Sequence, residues 1–218
     1  MKAALAEAVG TALLLAAVVG SGIMGERLAQ GNAAITLLAN SLATGLALTA
    51  LIVAFGPRSG AHFNPLITLA LVFRADFPRG QVGPYLLAQF AGAMVGVLAA
   101  HLMFDLPLIQ LSTTARTGIG QWFSEALATF GLVLVVLSCD RARPWSAPVA
   151  VGSYIAAAYW FTSSTSFANP AVTLARGFTD TFAGIDPSHI APFAMAQLTG
   201  AALALLVDRN LGAGREIQ

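Results

Sequence analysis

The sequence predicts an all-α membrane protein: six transmembrane helices plus two half-helices, written as two inverted repeats. Three observations carry this. Of the 218 residues, 57% are apolar and 10% charged; the mean hydropathy is +0.76; and one seven-residue block occurs twice. Such values lie outside the range of ordinary soluble domains. A net charge of +1 offers no basic face for nucleic acid, and no phosphate loop or metal-ligand cluster is visible, so those function classes are set aside. The single Cys139 allows no internal disulfide and reads as a packing residue.

Six runs approach the ~20 residues that cross a ~30 Å hydrocarbon core: Leu5 to Met24, Ala33 to Phe55, Val82 to Phe104, Gln121 to Ser138, Trp145 to Phe161 and His189 to Val207. The first run also has the form of a signal peptide, with Lys2 ahead of an apolar stretch. Glu7 and its counterpart in the second half favour a retained helix instead. Six spans leave both termini on one side. Lys2, Arg58, Arg74, Arg79, Arg141, Arg143, Arg209 and Arg215 then share the terminal side, against Arg27, Arg116 and Arg176 on the other. Eight against three places both termini in the cytoplasm.

Asn64-Pro65-Leu66-Ile67-Thr68-Leu69-Ala70 aligns with Asn169-Pro170-Ala171-Val172-Thr173-Leu174-Ala175, identical at five of seven positions. Ala88-Gln89 and Gly92-Ala93 match Ala196-Gln197 and Gly200-Ala201, while Glu7 and Thr11 match Glu125 and Thr129. The chain is one channel-like domain over 1–218, with a first repeat at 1–106 and a second at 120–210. Each repeat holds three spans, an odd number, so the second enters the membrane from the opposite face. Ligand paths in such proteins lie at the repeat interface near the midplane.

Asn is a strong helix cap and Pro is favoured at the first helical position, so each Asn-Pro pair marks a helix start. The segments 64–74 and 169–178 reach only ~15 Å, half the hydrocarbon thickness. Entering from opposite faces, they meet end to end at the centre. The preceding residues, Gly60, Ala61, His62 and Phe63 in one half and Ser164, Thr165, Ser166 and Phe167 in the other, are extended. Irregular backbone survives at that depth only where protein buries it or it lines a watery cavity. The expected result is a pore, with loop carbonyls as acceptors, Asn64 and Asn169 as central donors, and two helix dipoles opposing cations. A single Asn-Pro pair would read as a surface turn; its repetition in apolar surroundings favours the pore.

SGAHFNPLIT and FANPAVT, six spans and paired glutamates in the first and fourth helices together resemble the aquaporin or major intrinsic protein family over nearly the whole chain. The resemblance implies the aquaporin hourglass fold, a homotetramer with one pore per subunit in a lipid bilayer, and passive permeation of solutes and water without cofactor or catalysis. It also implies four filter positions, at twenty residues before the first Asn and at twelve before, three before and three after the second. Counted here these are Thr44, Ala157, Ser166 and Val172. Water-selective members carry Phe, His and Arg among these positions and glycerol facilitators Trp, Phe and Arg. Here Val172 replaces the Arg, and Thr173 stands where glycerol facilitators have Asp.

Replacing a guanidinium with an isopropyl group removes a fixed charge and opens cross-section. The expectation is a wide, mildly polar ring passing polyols and metalloid hydroxides such as arsenous acid, with a weaker penalty for cations and an opening for anionic solutes. The valine and its surroundings resemble aquaglyceroporin-type channels of bacterial arsenic resistance, some of which carry methylated arsenicals. That implies a bacterial inner membrane. Alternatives are a secondary active transporter with inverted repeats, a water-selective channel, and a closed pore kept as a structural protein.

Arg176, four residues past Val172, reads either as a vestibule charge or as an ion-pair partner of Asp180 at i+4, the latter favoured. Glu7 and Glu125 read either as proton relays or as acceptors bracing the loops, with bracing favoured. His62 belongs to the first loop, and His101 near a helix end reads as interfacial. The spacing Gly92 to Gly96, matched by Gly200 to Ala204, permits close helix approach within the subunit.

Overall fold

The computed structural model describes residues 1–139, 143 and 145–212; Arg141 and Arg215, counted above for topology, lie outside them. Six long helices are present: α1 (Lys2–Leu28), α2 (Ala33–Ser59), α4 (Val82–Met103), α5 (Ile119–Ser138), α6 (Ser146–Phe161) and α8 (Ile190–Gly212). Two short ones, α3 (Pro65–Phe73) and α7 (Pro170–Arg176), interrupt the order after α2 and α6. Five helical stretches are long and apolar enough to cross a membrane; α6, with 16 residues, is the short one. At 1.5 Å per residue α6 spans ~24 Å, and the extended segment after Phe161 makes up its path.

Within each repeat the first and third long helices pack on each other through glycines. A Cβ on Gly92 or Gly96 of α4 would stand 2.2 Å from the carbonyl oxygens of Ala8 and Ala12 on α1. In the second half, Gly200 of α8 approaches Ala126 on α5 in the same way, at 2.1 Å. A third close crossing, Gly45 of α2 against Gly152 of α6, joins the two halves: a Cβ on either glycine would fall within 2.7 Å of the other's carbonyl oxygen. These contacts exclude even a methyl group, so the crossings depend on glycine.

α3 and α7 begin as their sequences require. Asn64 and Asn169 have extended backbones, and their side-chain oxygens accept from Leu66 N and from Ala171 and Val172 N. α3 ends at Phe73, one residue short of the expected Arg74, and α7 stops at Arg176, two residues short of Phe178. The backbone beyond it pairs elsewhere. Ser112 N donates to Gly177 O, Gln110 N to Phe178 O and Ile185 N to Arg176 O, which draws these carbonyls out of helical register.

At the far end of α3, Arg74 donates to Leu137 O on α5 and forms ion pairs with Asp76 and Asp208, the latter on α8. Arg27 at the end of α1 donates to Phe104 O at the end of α4. The ends of α3, α5 and α8 therefore share one face of the molecule, and those of α1 and α4 share the other.

Candidate functional site: a lumen between the half-helices

The loops leading into α3 and α7 share an unusual backbone. Ala61 and Phe63 have φ of 51° and 49°, and Ser166 and Ala168 have 51° and 48°. Non-glycine residues in this left-handed region cost about 1–3 kcal/mol each unless the surroundings enforce them. Alternation of handedness turns successive N–H groups into a concavity suited to an anion. In each repeat a buried carboxylate fills it. Glu7 accepts from His62 N and Phe63 N at 3.0 and 2.7 Å; Glu125 accepts from Phe167 N and Ala168 N at 2.8 and 2.9 Å.

The bracing extends one residue further in both halves. Gln89 Nε2 donates to Glu7 and to Thr68 Oγ1, and Gln197 Nε2 donates to Glu125 and to Thr173 Oγ1. Ser59 Oγ adds a fourth donor to Glu7 at 2.6 Å. Both carboxylates are fully buried. Both are committed to fixed donors, and neither lines the lumen.

Gly60, Ala61, His62 and Phe63 line a lumen of about 830 Å³, open solvent at its entrance included, and Ser166 and Phe167 line it from the other half. Ser164 and Thr165, predicted to line it too, do not. Ser164 O and Thr165 Oγ1 instead accept from Arg116, whose guanidinium also donates to Gly184 O and Phe182 O. Arg116 comes from the segment between α4 and α5 and clamps the second loop from behind.

Asn64 and Asn169 meet at the centre of the lumen. Asn64 Nδ2 donates to Ala168 O, and Asn169 Nδ2 donates to Phe63 O, both at 2.8 Å. Each half-helix start is thereby tied to the other loop. A carboxamide has two N–H donors, and one on each Asn is used in this way.

Opposite the loops the wall is apolar. Leu14 and Val18 of α1, Leu48 and Ile52 of α2, Leu132 and Val136 of α5, and Val151 and Ile155 of α6 all face the lumen. Most lining positions recur every four residues along a helix, one face of a 3.6-residue turn. On α6 the stripe runs Ala147, Val151, Ile155, Tyr159.

Thr44, Ser166 and Val172 stand in the lumen wall where the filter spacing places them, and Ala157 does not. Ala157 is exposed on the outer surface of α6. It lies two residues, or ~200°, from both Ile155 and Tyr159, hence on the opposite face. Tyr159 takes the place instead, 3% exposed, with its hydroxyl 3.2 Å from Thr44 Oγ1. The turn between α6 and Asn169 is shorter than a count of twelve assumes, and the four-residue stripe on α6 was the signal that could have found Tyr159.

Arg176 makes no ion pair with Asp180, whose carboxylate accepts from Thr113 N and Oγ1. It turns inward: it is 1% exposed, lines the lumen, donates from Nε to Ala183 O, and stacks on Phe167 with Cζ 3.4 Å from the ring centre. His101 also departs from its reading, being fully buried between Leu108 O and Thr179 Oγ1 rather than interfacial. His62 lines the lumen and contacts Thr68 Oγ1 at 3.0 Å.

Comparison with known proteins gives the following likenesses. The profile described as "MIP: Major intrinsic protein" matches residues 1–168. The chain is 52% identical to "Aquaglyceroporin AqpS" of Rhizobium meliloti (strain 1021) over 206 residues, covering 94% of this chain and 88% of that protein. It is 36% identical to "Aquaporin NIP2-3" of Zea mays over 80% of this chain and 59% of that one. Among solved structures, the aquaglyceroporin from Plasmodium falciparum superposes with a TM-score of 0.79 at 20% identity, covering 94% of this chain and 93% of that chain.

Proposed function

Because this chain belongs to the major intrinsic protein family, we propose that its lumen is a passive channel for small uncharged solutes, polyols and metalloid hydroxides such as arsenous acid, together with methylated arsenicals and water. One observation carries the reading: the lumen is two-sided. Loop carbonyls and the two Asn amides form a polar track, and aliphatic side chains of α1, α2, α5 and α6 face it. A polyol or a metalloid hydroxide with methyl groups exchanges its hydration along the track and lays its apolar side on the other wall. A solute of hydroxyls on one face and carbon on the other fits both walls at once.

Val172 supports the wider substrate range. It is 6% exposed in the ring with Thr44, Tyr159 and Ser166, none of which carries a charge. The reading includes a homotetramer with one lumen per chain, in a bacterial inner membrane with both termini cytoplasmic. An orientation with eight basic residues on the terminal side and three on the other supports that placement. A proton-coupled transporter is disfavoured, because Glu7 and Glu125 are occupied by backbone and glutamine donors.

The test is stopped-flow permeation through purified protein in liposomes, with water, glycerol, arsenous acid and monomethylarsonous acid, beside Val172→Arg. Wild type is expected to pass all four, and the arginine to cut the methylated solute first. Wild-type flux of water alone, or a Val172→Arg profile identical to wild type, would sink the reading.

A further inference from the structure

The two mouths of the lumen are built from equivalent repeat positions and differ in charge. Ile67 and Val172 occupy the same place in the repeated block, and Leu71 and Arg176 stand one turn beyond them; all four line the lumen. One mouth is therefore aliphatic at this position and the other carries a guanidinium.

That guanidinium lacks an acidic partner. Among the described residues the ion pairs both belong to Arg74. Asp180 is turned to Thr113, and Glu125 is held by its loop and Gln197. Arg176 uses only Nε, toward Ala183 O, and neither Nη atom has a protein acceptor. Arg176 is nevertheless a lining residue of the lumen, and the Nη atoms are its groups without a protein acceptor. Arg116, with Cζ 5.0 Å from the same Phe167 ring, adds a second positive charge close behind. Glu125 acts on this cation only from behind its own loop and forms no ion pair with it, so a solute oxygen in the lumen is the direct partner left to the guanidinium.

We propose that Arg176 is the selectivity cation of this pore, displaced one helical turn from the position that Val172 occupies. The exchange separates two properties: Val172 leaves the ring wide, while Arg176 keeps the mouth positive. The mouth then repels cations and offers a two-pronged N–H fork to solute oxygens, with oxyanions held best. On this proposal cations meet a stronger barrier than Val172 alone would imply. The proposal rests on the channel reading above.

The test uses full-length protein in liposomes, reading glycerol flux by light scattering and potassium leak with a potential-sensitive dye. Wild type is expected to pass glycerol and hold potassium back. Arg176→Met is expected to raise the potassium-to-glycerol permeability ratio roughly tenfold or more, Arg176→Lys to leave it low, and Val172→Arg placed on Arg176→Met to lower it again. A second reading needs no variant. External methanesulfonate should slow wild-type glycerol flux severalfold more than its neutral isostere dimethyl sulfone. A wild type as leaky to potassium as to glycerol, an Arg176→Met channel with the wild-type ratio, or equal slowing by the two probes would overturn the proposal. A wild type that passes no neutral solute would overturn the channel reading instead.

Discussion

Thr44 Oγ1 and Tyr159 OH stand 3.2 Å apart in the wall of the lumen, joining α2 of the first half to α6 of the second. Ser166 and Val172 line the same lumen, and on the proposed reading the four form its filter. A ring fixed by a hydroxyl contact between two packed helices holds its section without closing it.

Tyr159 is consequently expected to set the upper size limit. Tyr159→Ala should raise permeation of polyols longer than glycerol, such as ribitol, by roughly tenfold or more, the scale on which steric pockets discriminate. Tyr159→Phe, which keeps the ring and loses only the hydroxyl, should change it much less. Stopped-flow shrinkage in ribitol checks both; an unaltered glycerol-to-ribitol ratio in Tyr159→Ala would remove Tyr159 from the filter.

Ala157 should be silent. It is exposed on the opposite face of α6, where a lipid tail tolerates added carbon. Ala157→Leu is expected to leave glycerol and arsenous acid flux at wild-type values, and a changed solute ratio would restore the position counted from the motif.

The contrast between these two residues shows where the sequence was legible and where it was not. Asn64, Asn169, Glu7 and Glu125 could be read because the chain carries each feature twice at matched spacing, and local rules for caps and buried carboxylates then fix what each does. Thr44, Ser166 and Val172 followed because no insertion separates them from their motifs. Tyr159 was missed because a fixed count cannot sense a shortened turn, although the stripe Ala147, Val151, Ile155, Tyr159 carried the information. The clamp by Arg116 and the inward turn of Arg176 were not legible. Both depend on carbonyls of the 182–184 segment, 68 and 66 residues from Arg116 and 7 from Arg176, and no local rule specifies that pairing.

Glu7→Gln and Glu125→Gln should both destabilise the protein. A glutamine presents an N–H₂ group toward backbone N–H groups that the carboxylate oxygens now accept. Bonds to a charged acceptor are worth about 1.5–3 kcal/mol each, and the loops lose the anion that holds their left-handed residues. The expected result is a lower midpoint of thermal unfolding in detergent together with reduced glycerol flux. Wild-type flux should also ignore an imposed proton gradient. A stable Glu7→Gln protein with normal passive flux but altered response to such a gradient would return the carboxylates to a relay role.

Gly200 supplies the most demanding packing test. A Cβ there would stand 2.1 Å from Ala126 O and 3.0 Å from Phe130 N, both backbone atoms of α5 that cannot rotate away. Gly200→Val must force α8 off α5, and overpacking of this kind costs about 1–3 kcal/mol or more. The same shift would carry Gln197 away from Glu125 and Thr173, loosening the loop that presents Ser166 and Phe167 to the lumen. Gly83→Ala, on α4 with open space around the new methyl, is the matched control and should fold normally. Size-exclusion profiles and thermal midpoints of the two purified variants decide the point. A Gly200→Val protein as stable as Gly83→Ala would show that α5 and α8 can part without cost to the lumen wall.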